Sequence, residues 1–241
     1  MRVIIFLLLV VSFGFRVHAQ AQNPNNRSEN LPYYDQRAFH YGILIGVHSS
    51  IFKLNYSPAF TDPDFNNPDF NLDSLQSATP VNSAGFTLGG IVNFRLAEYL
   101  DIRLTPSVGF FEYSVDYNFT TRNKETQRVS ATNVELPLLF KYKSQKRKNI
   151  RMYLIAGIKA SFEASGNRDE NENDEILRIN GTSIAAEYGF GLDIYYPLFK
   201  FSPEIRFSQG LTNVLNPQEN VFSTPISSLK VNTINFYLIF Q

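Results

Sequence analysis

Residues 183–208, SIAAEYGFGLDIYYPLFKFSPEIRFS, contain two long stretches in which side-chain polarity alternates. In the first stretch, the apolar row is Ile184, Ala186, Tyr188, Phe190, Leu192, Ile194 and Tyr196, and the other row is Ala185, Glu187, Gly189, Gly191, Asp193 and Tyr195. Successive residues of a strand point to opposite faces, so the pattern predicts a strand with one apolar face. The alternation resumes after residues 197–200, which predicts two long strands joined by a short turn.

The same alternation recurs along the chain and predicts about eight strands. They span residues 39–47, 84–96, 100–117, 129–142, 150–162, 183–196, 201–208 and 231–240. The connections between them alternate in length, beginning and ending with a long one. The first long connection, residues 56–83, contains PDFNNPDFN, and its Pro, Asp and Asn content predicts an irregular loop.

Alternating strands can face a protein core in a soluble sandwich or lipid in a membrane barrel. Short turns at one end, long loops at the other and an even strand number are typical of outer-membrane barrels. Strands of about ten residues also reach across a bilayer when they are tilted. We therefore predict an all-β fold, an eight-stranded antiparallel up-and-down transmembrane β-barrel at residues 38–241, with both termini in the periplasm. Tyrosines beside the short turns would form an interfacial girdle: Tyr99, Tyr142, Tyr153, Tyr195 and Tyr196.

The N-terminal residues have the pattern of an export signal. Arg2 precedes an apolar run at residues 3–15, and Val17-His18-Ala19 is a small-x-small cleavage site. Residues 1–19 are predicted to be a signal peptide, and the polar, Asn-rich residues 20–37 a flexible periplasmic lead-in. The chain contains no cysteine, so neither a lipid-modified cysteine nor a disulfide is available to it.

Six ionisable residues lie on the polar rows of the predicted strands. They are Arg103, Glu135, Lys159, Glu187, Glu204 and Arg206. A charge facing lipid near the bilayer midplane costs about 2–4 kcal/mol. We therefore predict that these six side chains face the lumen and form a polar network in which opposite charges pair. Around eight strands enclose a lumen filled by side chains, which predicts that the barrel does not conduct large cargo.

Three prolines, Pro106, Pro137 and Pro203, fall inside predicted strands, where each removes a backbone donor. A closed barrel has no free edge at which such residues could lie. We therefore predict a belt of β-bulges near the periplasmic rim, with Pro106 and Pro137 close together on neighbouring strands.

No catalytic pattern is found in the mature chain. His40 and His48 lie near Ser49 and Ser50, but no acid-His-Ser spacing accompanies them, so ordinary lumen or rim residues are the favoured interpretation. If the acidic stretch 169–175 opened an EF-hand loop, Asp174 would stand where that loop needs Gly and Asn180 where it needs Glu, so a solvated loop is the favoured interpretation. The balanced formal charge gives no surplus to neutralise nucleic acid. We predict a non-enzymatic protein with no cofactor, no metal, no small-molecule substrate and no nucleic-acid partner, in contact with outer-membrane lipid.

Two surface features are candidate partner contacts. One is a basic turn expected on the periplasmic side, made of Lys143, Lys146, Arg147, Lys148 and Arg151, which could bind a partner or anionic head groups, or only keep the turn in water. The other is a pair of outer-loop aromatics, Phe65 and Phe70, which could anchor a partner or pack within their own loop.

Four stretches of the chain follow the pattern of a known family. They are YDQRAFHYGILIG (34–46), ELPLLFKYKS (135–144), RMYLIAG (151–157) and YGFGLDIYYPLFKFSPEIRFSQGLTNVL (188–215). They resemble the PorT/SprT family, outer-membrane barrel proteins of the type IX secretion system that are linked to gliding in some bacteria. The resemblance implies an accessory or assembly role in the export of proteins with C-terminal sorting signals, alongside other secretion-system envelope proteins.

Two alternatives remain open. A general small outer-membrane barrel would act in adhesion or envelope integrity through its outer loops, and a lipid-modifying barrel enzyme would act on the membrane itself.

Overall fold

The computed structural model describes residues 29–58, 75–119, 123–164, 179–216, 223 and 225–241. The predicted signal peptide, the outer-loop aromatics Phe65 and Phe70 and the acidic stretch 169–175 lie outside the described residues. A short 3-10 helix at Tyr34–Gln36 precedes the strands. The strands are β1 (Phe39–Tyr56), β2 (Leu75–Val81), β3 (Ser83–Arg95), β4 (Leu100–Leu104), β5 (Ser107–Phe119), β6 (Glu125–Lys143), β7 (Ile150–Glu163), β8 (Thr182–Tyr195), β9 (Lys200–Gly210) and β10 (Ile226–Phe240).

The strands close into a ring of eight antiparallel positions. β4 and β5 lie end to end and share one position between β3 and β6. β1 pairs with β10 on one side and with β3 on the other, which closes the ring. The predicted eight-stranded antiparallel barrel is therefore confirmed. Closure matters because a closed ring leaves no unpaired strand edge along its wall.

The register fixes the width of this barrel. Tyr41 on β1 lies opposite a residue of β3, which lies opposite a residue of the next strand, and so on around the ring. This series of paired residues comes back to β1 at Ile51, ten residues after Tyr41. The intermediate residues are Val92, Leu104, Leu138, Ile158, Ala186, Gln209 and Asn232. A shear of this size for eight strands corresponds to a tilt of roughly 40–45°. At that tilt the interior is only wide enough for side chains to fill.

The outward rows form an apolar band around the barrel. On β8, Phe190 is 49% exposed on the outer surface, whereas Glu187 is 1% exposed inside. On β1 the outward row from Tyr41 to Ile51 contains one polar residue, Ser49. At a rise of about 3.3 Å per residue along a tilted strand, this row is roughly 25 Å tall, the height of a transmembrane barrel's apolar band.

The two ends of the barrel differ in their connections. Residues 96–99, 144–149 and 196–199 make short turns at one end, which we call the turn end. At the other end, which we call the loop end, β1 ends at Tyr56, β5 ends at Phe119, β6 begins at Glu125 and β10 begins at Ile226. Among the described residues, no helix is long and apolar enough to cross a membrane.

β2 lies within residues 56–83, for which the sequence predicts an irregular loop, so this part of the prediction is wrong. Its residues pair with the loop-end half of β5, from Val81 opposite Ser114 to Leu75 opposite Phe119. The sequence LQSATPV contains a proline and alternates only weakly. β2 is a strand because β5 extends past the ring and offers it a partner, which local sequence does not reveal.

The predicted belt of bulges is wrong. Leu104 lies opposite Leu138 and Ser107 lies opposite Glu135, so the offset between the strands is the same on both sides of Pro106. Pro106 and Pro137 are close together as predicted, since Thr105 donates its backbone N–H to Pro137 O at 3.1 Å. Each proline lacks one backbone donor without inserting a residue, and the remaining pairs of long strands hold the register.

A cluster of buried apolar side chains fills the loop end. Its members are Phe52, Ala78, Phe111, Tyr113, Val115, Tyr117, Phe119, Val129, Ala131, Val214, Leu215, Ile226 and Leu229. We call it the loop-end core. It lies where β2, β5, β6 and β10 extend past the ring, so it closes the lumen from that side with packed side chains.

Some lumen glycines make room for large neighbours. A Cβ built on Gly191 would lie 2.4 Å from the Tyr153 ring, and one built on Gly46 would lie 2.3 Å from the Tyr237 ring. On the outer surface, a Cβ at Gly90 would meet nothing nearer than a backbone oxygen at 3.8 Å. The inward glycines are therefore needed for packing, whereas Gly90 is not.

We expect Gly191→Ala to destabilise the folded barrel by about 1–3 kcal/mol, because the added methyl group overlaps Tyr153. Gly90→Ala is the matched control and should change stability little. The free energy of unfolding in urea, measured in lipid vesicles by the heat-modifiable mobility of the folded barrel, checks both variants. Equal losses in the two variants would contradict the packing role of Gly191.

Candidate functional site

Glu204 on β9 is the centre of a buried cluster of charges. Its carboxylate accepts hydrogen bonds from Arg103 Nη1 at 2.5 Å, from the Tyr153 hydroxyl at 2.6 Å and from Arg206 Nε. The three donors come from β4, β7 and β9. Both guanidinium groups also lie against aromatic rings, Arg103 over Tyr153 and Arg206 over Tyr237. The carboxylate therefore has the partners that a buried charge needs.

A second group of charges continues this cluster towards the loop end. Lys159 Nζ lies 2.8 Å from Glu135 Oε1 and 3.4 Å from Glu187 Oε1. Arg206 Nη1 lies 3.6 Å from Glu187 Oε2, which joins the two groups. The structure therefore brings together all six ionisable residues singled out from the sequence, as three cations and three anions inside the barrel.

A third group of charges, which was not predicted from the sequence, lies nearer the turn end. Lys141 Nζ lies 2.7 Å from Asp193 Oδ2, which is 3.9 Å from Lys200 Nζ, and Lys143 Nζ lies 2.6 Å from Asp101 Oδ1. These residues lie on the same polar rows as the other six. Extending the period-two assignment along each strand would have found them.

The predicted basic turn separates into two parts. Lys143 is 2% exposed and Arg151 is 7% exposed, because both lie at inward positions on β6 and β7. The prediction that these two form part of a partner surface is therefore wrong. Lys146 Nζ donates to Asn30 O at 2.7 Å, and Arg147 and Lys148 are exposed at the turn.

Residues 30–37 cross the mouth of the barrel at the turn end, and we call them the strap. Asp35 Oδ2 accepts hydrogen bonds from the Tyr195 hydroxyl at 2.6 Å and from Arg151 Nη1 at 3.1 Å. Tyr34 O lies 2.8 Å from His40 Nε2. The prediction of a flexible lead-in therefore does not hold for this part of residues 20–37. The sequence showed no signal for it, since the two side chains that bind Asp35 lie 116 and 160 positions away in the chain.

The predicted tyrosine girdle is only partly present. Tyr142 and Tyr196 are exposed on the outer surface near the turn end, and Tyr99 is half-buried there. Tyr153 and Tyr195 are buried inside the barrel, so assigning them to the girdle is wrong. Both lie on inward rows, where their hydroxyl groups bind carboxylates.

Electrostatics favour the docked strap at neutral pH. Burial alone would raise the pKa of Asp35, but Lys200, the Tyr195 hydroxyl and Arg151 outweigh burial and hold the pKa below its ordinary value of 3.8. Burial, with the nearby Asp35 charge, raises the pKa of Tyr34 to about 12. The strap therefore docks with Asp35 charged and Tyr34 neutral.

Little open space remains between the charged groups and the loop-end core. A cavity of about 20 Å³ is lined by Asn133, Glu135, Lys159, Ser161, Ser208 and their neighbours. That volume holds about one water molecule. Within the described part of the chain, Glu135 Oε2 has no hydrogen-bond partner, and such a water would provide one.

The candidate serine–histidine pairs are not brought together. His40 is bound to the strap, His48 Nδ1 lies 3.2 Å from Thr87 Oγ1, and Ser50 Oγ lies 3.4 Å from Thr233 Oγ1. Ser49 lies on the outward face of β1. Among the residues the structure describes, no three or more His, Cys, Asp or Glu side chains are grouped to hold a metal ion.

Comparison with protein families identifies the class of barrel. A family model described as "Outer membrane protein beta-barrel domain" matches residues 19–216. The chain belongs to this family. It is therefore an outer-membrane β-barrel protein, which agrees with its apolar band. A search of curated protein sequences finds no match.

Solved structures of small outer-membrane barrels are similar to this family member. The outer membrane protein OprG from Pseudomonas aeruginosa is 13% identical, with a TM-score of 0.48 over 83% of this chain and 93% of that one. Neisserial surface protein A is 12% identical, with a TM-score of 0.44 over 85% of this chain and 96% of that one. The attachment invasion locus protein Ail of Yersinia pestis is 14% identical, with a TM-score of 0.33 over 83% and 96%.

We expect Glu204→Gln to destabilise the barrel by about 3–5 kcal/mol, because two buried guanidinium groups lose the carboxylate that compensates them. Asp116→Asn is the control, since the Asp116–Lys124 pair lies at the surface of the loop end, with the Lys124 side chain 55% exposed, and is worth about 1 kcal/mol at most. Urea unfolding in vesicles measures both. A cost for Glu204→Gln no larger than that for Asp116→Asn would show that the lumen pairs do not hold the fold.

We expect Asp35→Asn to release the strap, because Arg151 then loses the carboxylate it donates to and the strap loses its attraction to Lys200. Trypsin cleavage after the exposed Arg37 should become roughly tenfold faster at neutral pH, with Asp116→Asn unchanged. In the wild-type protein the lowered pKa means that docking is favoured above pH 3.8 and is lost as the pH falls through the lowered value. Hydrogen exchange of the strap, corrected for intrinsic rates, should show loosening only in that acid range.

Proposed function

We propose that this outer-membrane protein is a non-enzymatic accessory or assembly component of type IX protein secretion, and of gliding where gliding occurs. The proposal is supported by the four stretches that resemble the PorT/SprT family. The observation that carries it is the filled lumen, with charged groups throughout, the loop-end core on one side and the strap on the other. A protein substrate cannot pass through a lumen whose described part is filled by paired charges and packed side chains, with room for about one water molecule in the cavity beside Glu135 and Lys159.

Because the lumen is closed, the protein acts through its ends. We propose that the turn end, with both termini, faces the periplasm, since outer-membrane barrels have short periplasmic turns and longer outer loops. At this end, Arg147 and Lys148 are exposed and form no ion pair with any described residue. They are the part of the basic turn that remains available to another secretion-system envelope protein.

The alternative role, in adhesion or envelope integrity, is supported by a different feature. β2 and the far ends of β5 and β6 extend the wall past the ring at the loop end, over the loop-end core. A rigid platform of this kind would present outer loops to a surface ligand. The two roles differ in what is lost when the gene is deleted.

We expect deletion of the gene to abolish the release of many secreted proteins with C-terminal sorting signals at the same time. Surface binding should be lost only because secretion of these proteins fails. Restoring the protein with Arg147→Glu and Lys148→Glu should leave secretion reduced severalfold, although the barrel is folded by heat-modifiable mobility. Arg128→Glu, at an exposed loop-end position, is the control and should restore secretion fully. Normal secretion with altered surface binding or altered lipid composition in the deletion strain would refute the proposed role.

The contact can be mapped directly because the chain contains no cysteine. Arg147→Cys provides a single attachment point for a crosslinker at the turn end, and Lys124→Cys provides one at the loop end. In intact envelopes, we expect Arg147→Cys to capture a discrete secretion-system protein and Lys124→Cys not to. Capture of the same protein from both positions would contradict a turn-end contact.

A further inference from the structure

Two lysines lie directly opposite each other on the outer wall of the barrel. Lys53 on β1 pairs in register with Lys230 on β10. Both are on outward rows, with Lys53 exposed and Lys230 half-buried. Side chains at directly opposed positions of an antiparallel pair have Cβ atoms about 4.5–5.5 Å apart, and like charges placed there repel. The fold therefore holds two positive charges together across a seam.

No described residue neutralises this pair of lysines. Within the described ranges, neither amine forms an ion pair with a carboxylate. The adjacent outward residues, Asn55 and Ser228, are uncharged and hydrogen-bonded to each other at 2.8 Å. Elsewhere at the loop end, Lys124 does have a carboxylate, 2.6 Å away on Asp116. Among the described residues, the charge at the β1–β10 seam thus lacks the kind of compensation that Asp116 gives Lys124.

The height of the pair on the wall indicates what neutralises it. On the outward face directly below the lysines, Ile51 lies opposite Asn232 and Ser49 opposite Ile234, and the seam is then wholly apolar from Val47 opposite Phe236 to Ile43 opposite Phe240. Ile51 is the last apolar outward residue of β1, and Lys53 follows it on the same face. The two amines therefore lie at the edge of the apolar band, at the level where lipid head groups meet the acyl chains.

We propose that Lys53 and Lys230 form a binding site for the phosphate group of a membrane lipid in the leaflet at the loop end. An anionic phosphate between the two amines removes their repulsion, and its acyl chains lie along the apolar seam below. Phosphate is the anionic group present at this depth, and ammonium groups bind it as point charges. The site follows from the position of the barrel in the outer membrane and is independent of the proposed role in secretion.

The experiment measures lipid retained by the full-length mature protein. The protein is reconstituted in phosphatidylcholine nanodiscs containing phosphatidic acid, released, and its bound phosphatidic acid is counted by native mass spectrometry. We expect retention to fall about fivefold for each of Lys53→Gln and Lys230→Gln. Arg128→Gln, at an exposed loop-end position opposite Ser114, is the matched control and should retain lipid as the wild type does.

Lys230→Glu separates binding from folding. It places opposite charges at the same pair of positions, so the Tm in neutral detergent should rise or hold, while phosphatidic acid retention is lost. Added phosphatidic acid should raise the Tm of the wild type but not that of this variant. A folded Lys230→Glu protein that retains phosphatidic acid like the wild type would overturn the proposal.

Two further results would also overturn it. One is an equal loss of retention in Arg128→Gln, which would mean that any loop-end cation attracts the lipid. The other is an increase in Tm by inorganic phosphate equal to that by phosphatidic acid, which would assign the site to a soluble anion instead of a lipid. Retention that depends on both lysines, without an effect of inorganic phosphate, supports the lipid site.

Discussion

A charged side chain cannot face lipid hydrocarbon without a large cost, and this constraint organises the whole barrel. Arg103, Glu204 and Arg206 are completely or almost completely buried, and each has a partner of opposite charge in the lumen. The Arg103–Glu204 pair joins residues 101 positions apart in the chain. The charges thus decide which face of each strand points inward, and their pairing also ties together strands that are distant in sequence.

The same pairing decides what the barrel can do. With a shear of ten for eight strands, the interior is narrow, and charges that must pair at short distances fill it. The strap then covers one mouth through Asp35, and the loop-end core closes the other. Only the outer surfaces are therefore accessible to other molecules: the turns, the loops and the lipid-facing wall.

Most of the fold could be predicted from local pattern, and most of the site's detail could not. Alternation placed the six lumen charges on inward faces, because the period of a strand is a local property. The same period, continued to the ends of β6 and β7, puts Lys143 and Arg151 at inward positions, but their proximity to a turn led to the prediction of an exposed patch. The strap and β2 gave no local signal, since Asp35 and β2 are held by partners far away in the chain.

What the sequence alone determined is the eight strand positions of the ring, the inward or outward face of most residues within them and the need for the apolar rows to meet lipid. Those properties depend on the alternation of polar and apolar side chains, and this alternation can be recognised from consecutive residues alone. Only the tertiary structure decided the register, the pairing of each charge and the opposition of Lys53 to Lys230 across the seam that closes the ring. The register depends on hydrogen bonds between every pair of neighbouring strands around the closed ring. No single stretch of sequence contains both strands of all these pairs.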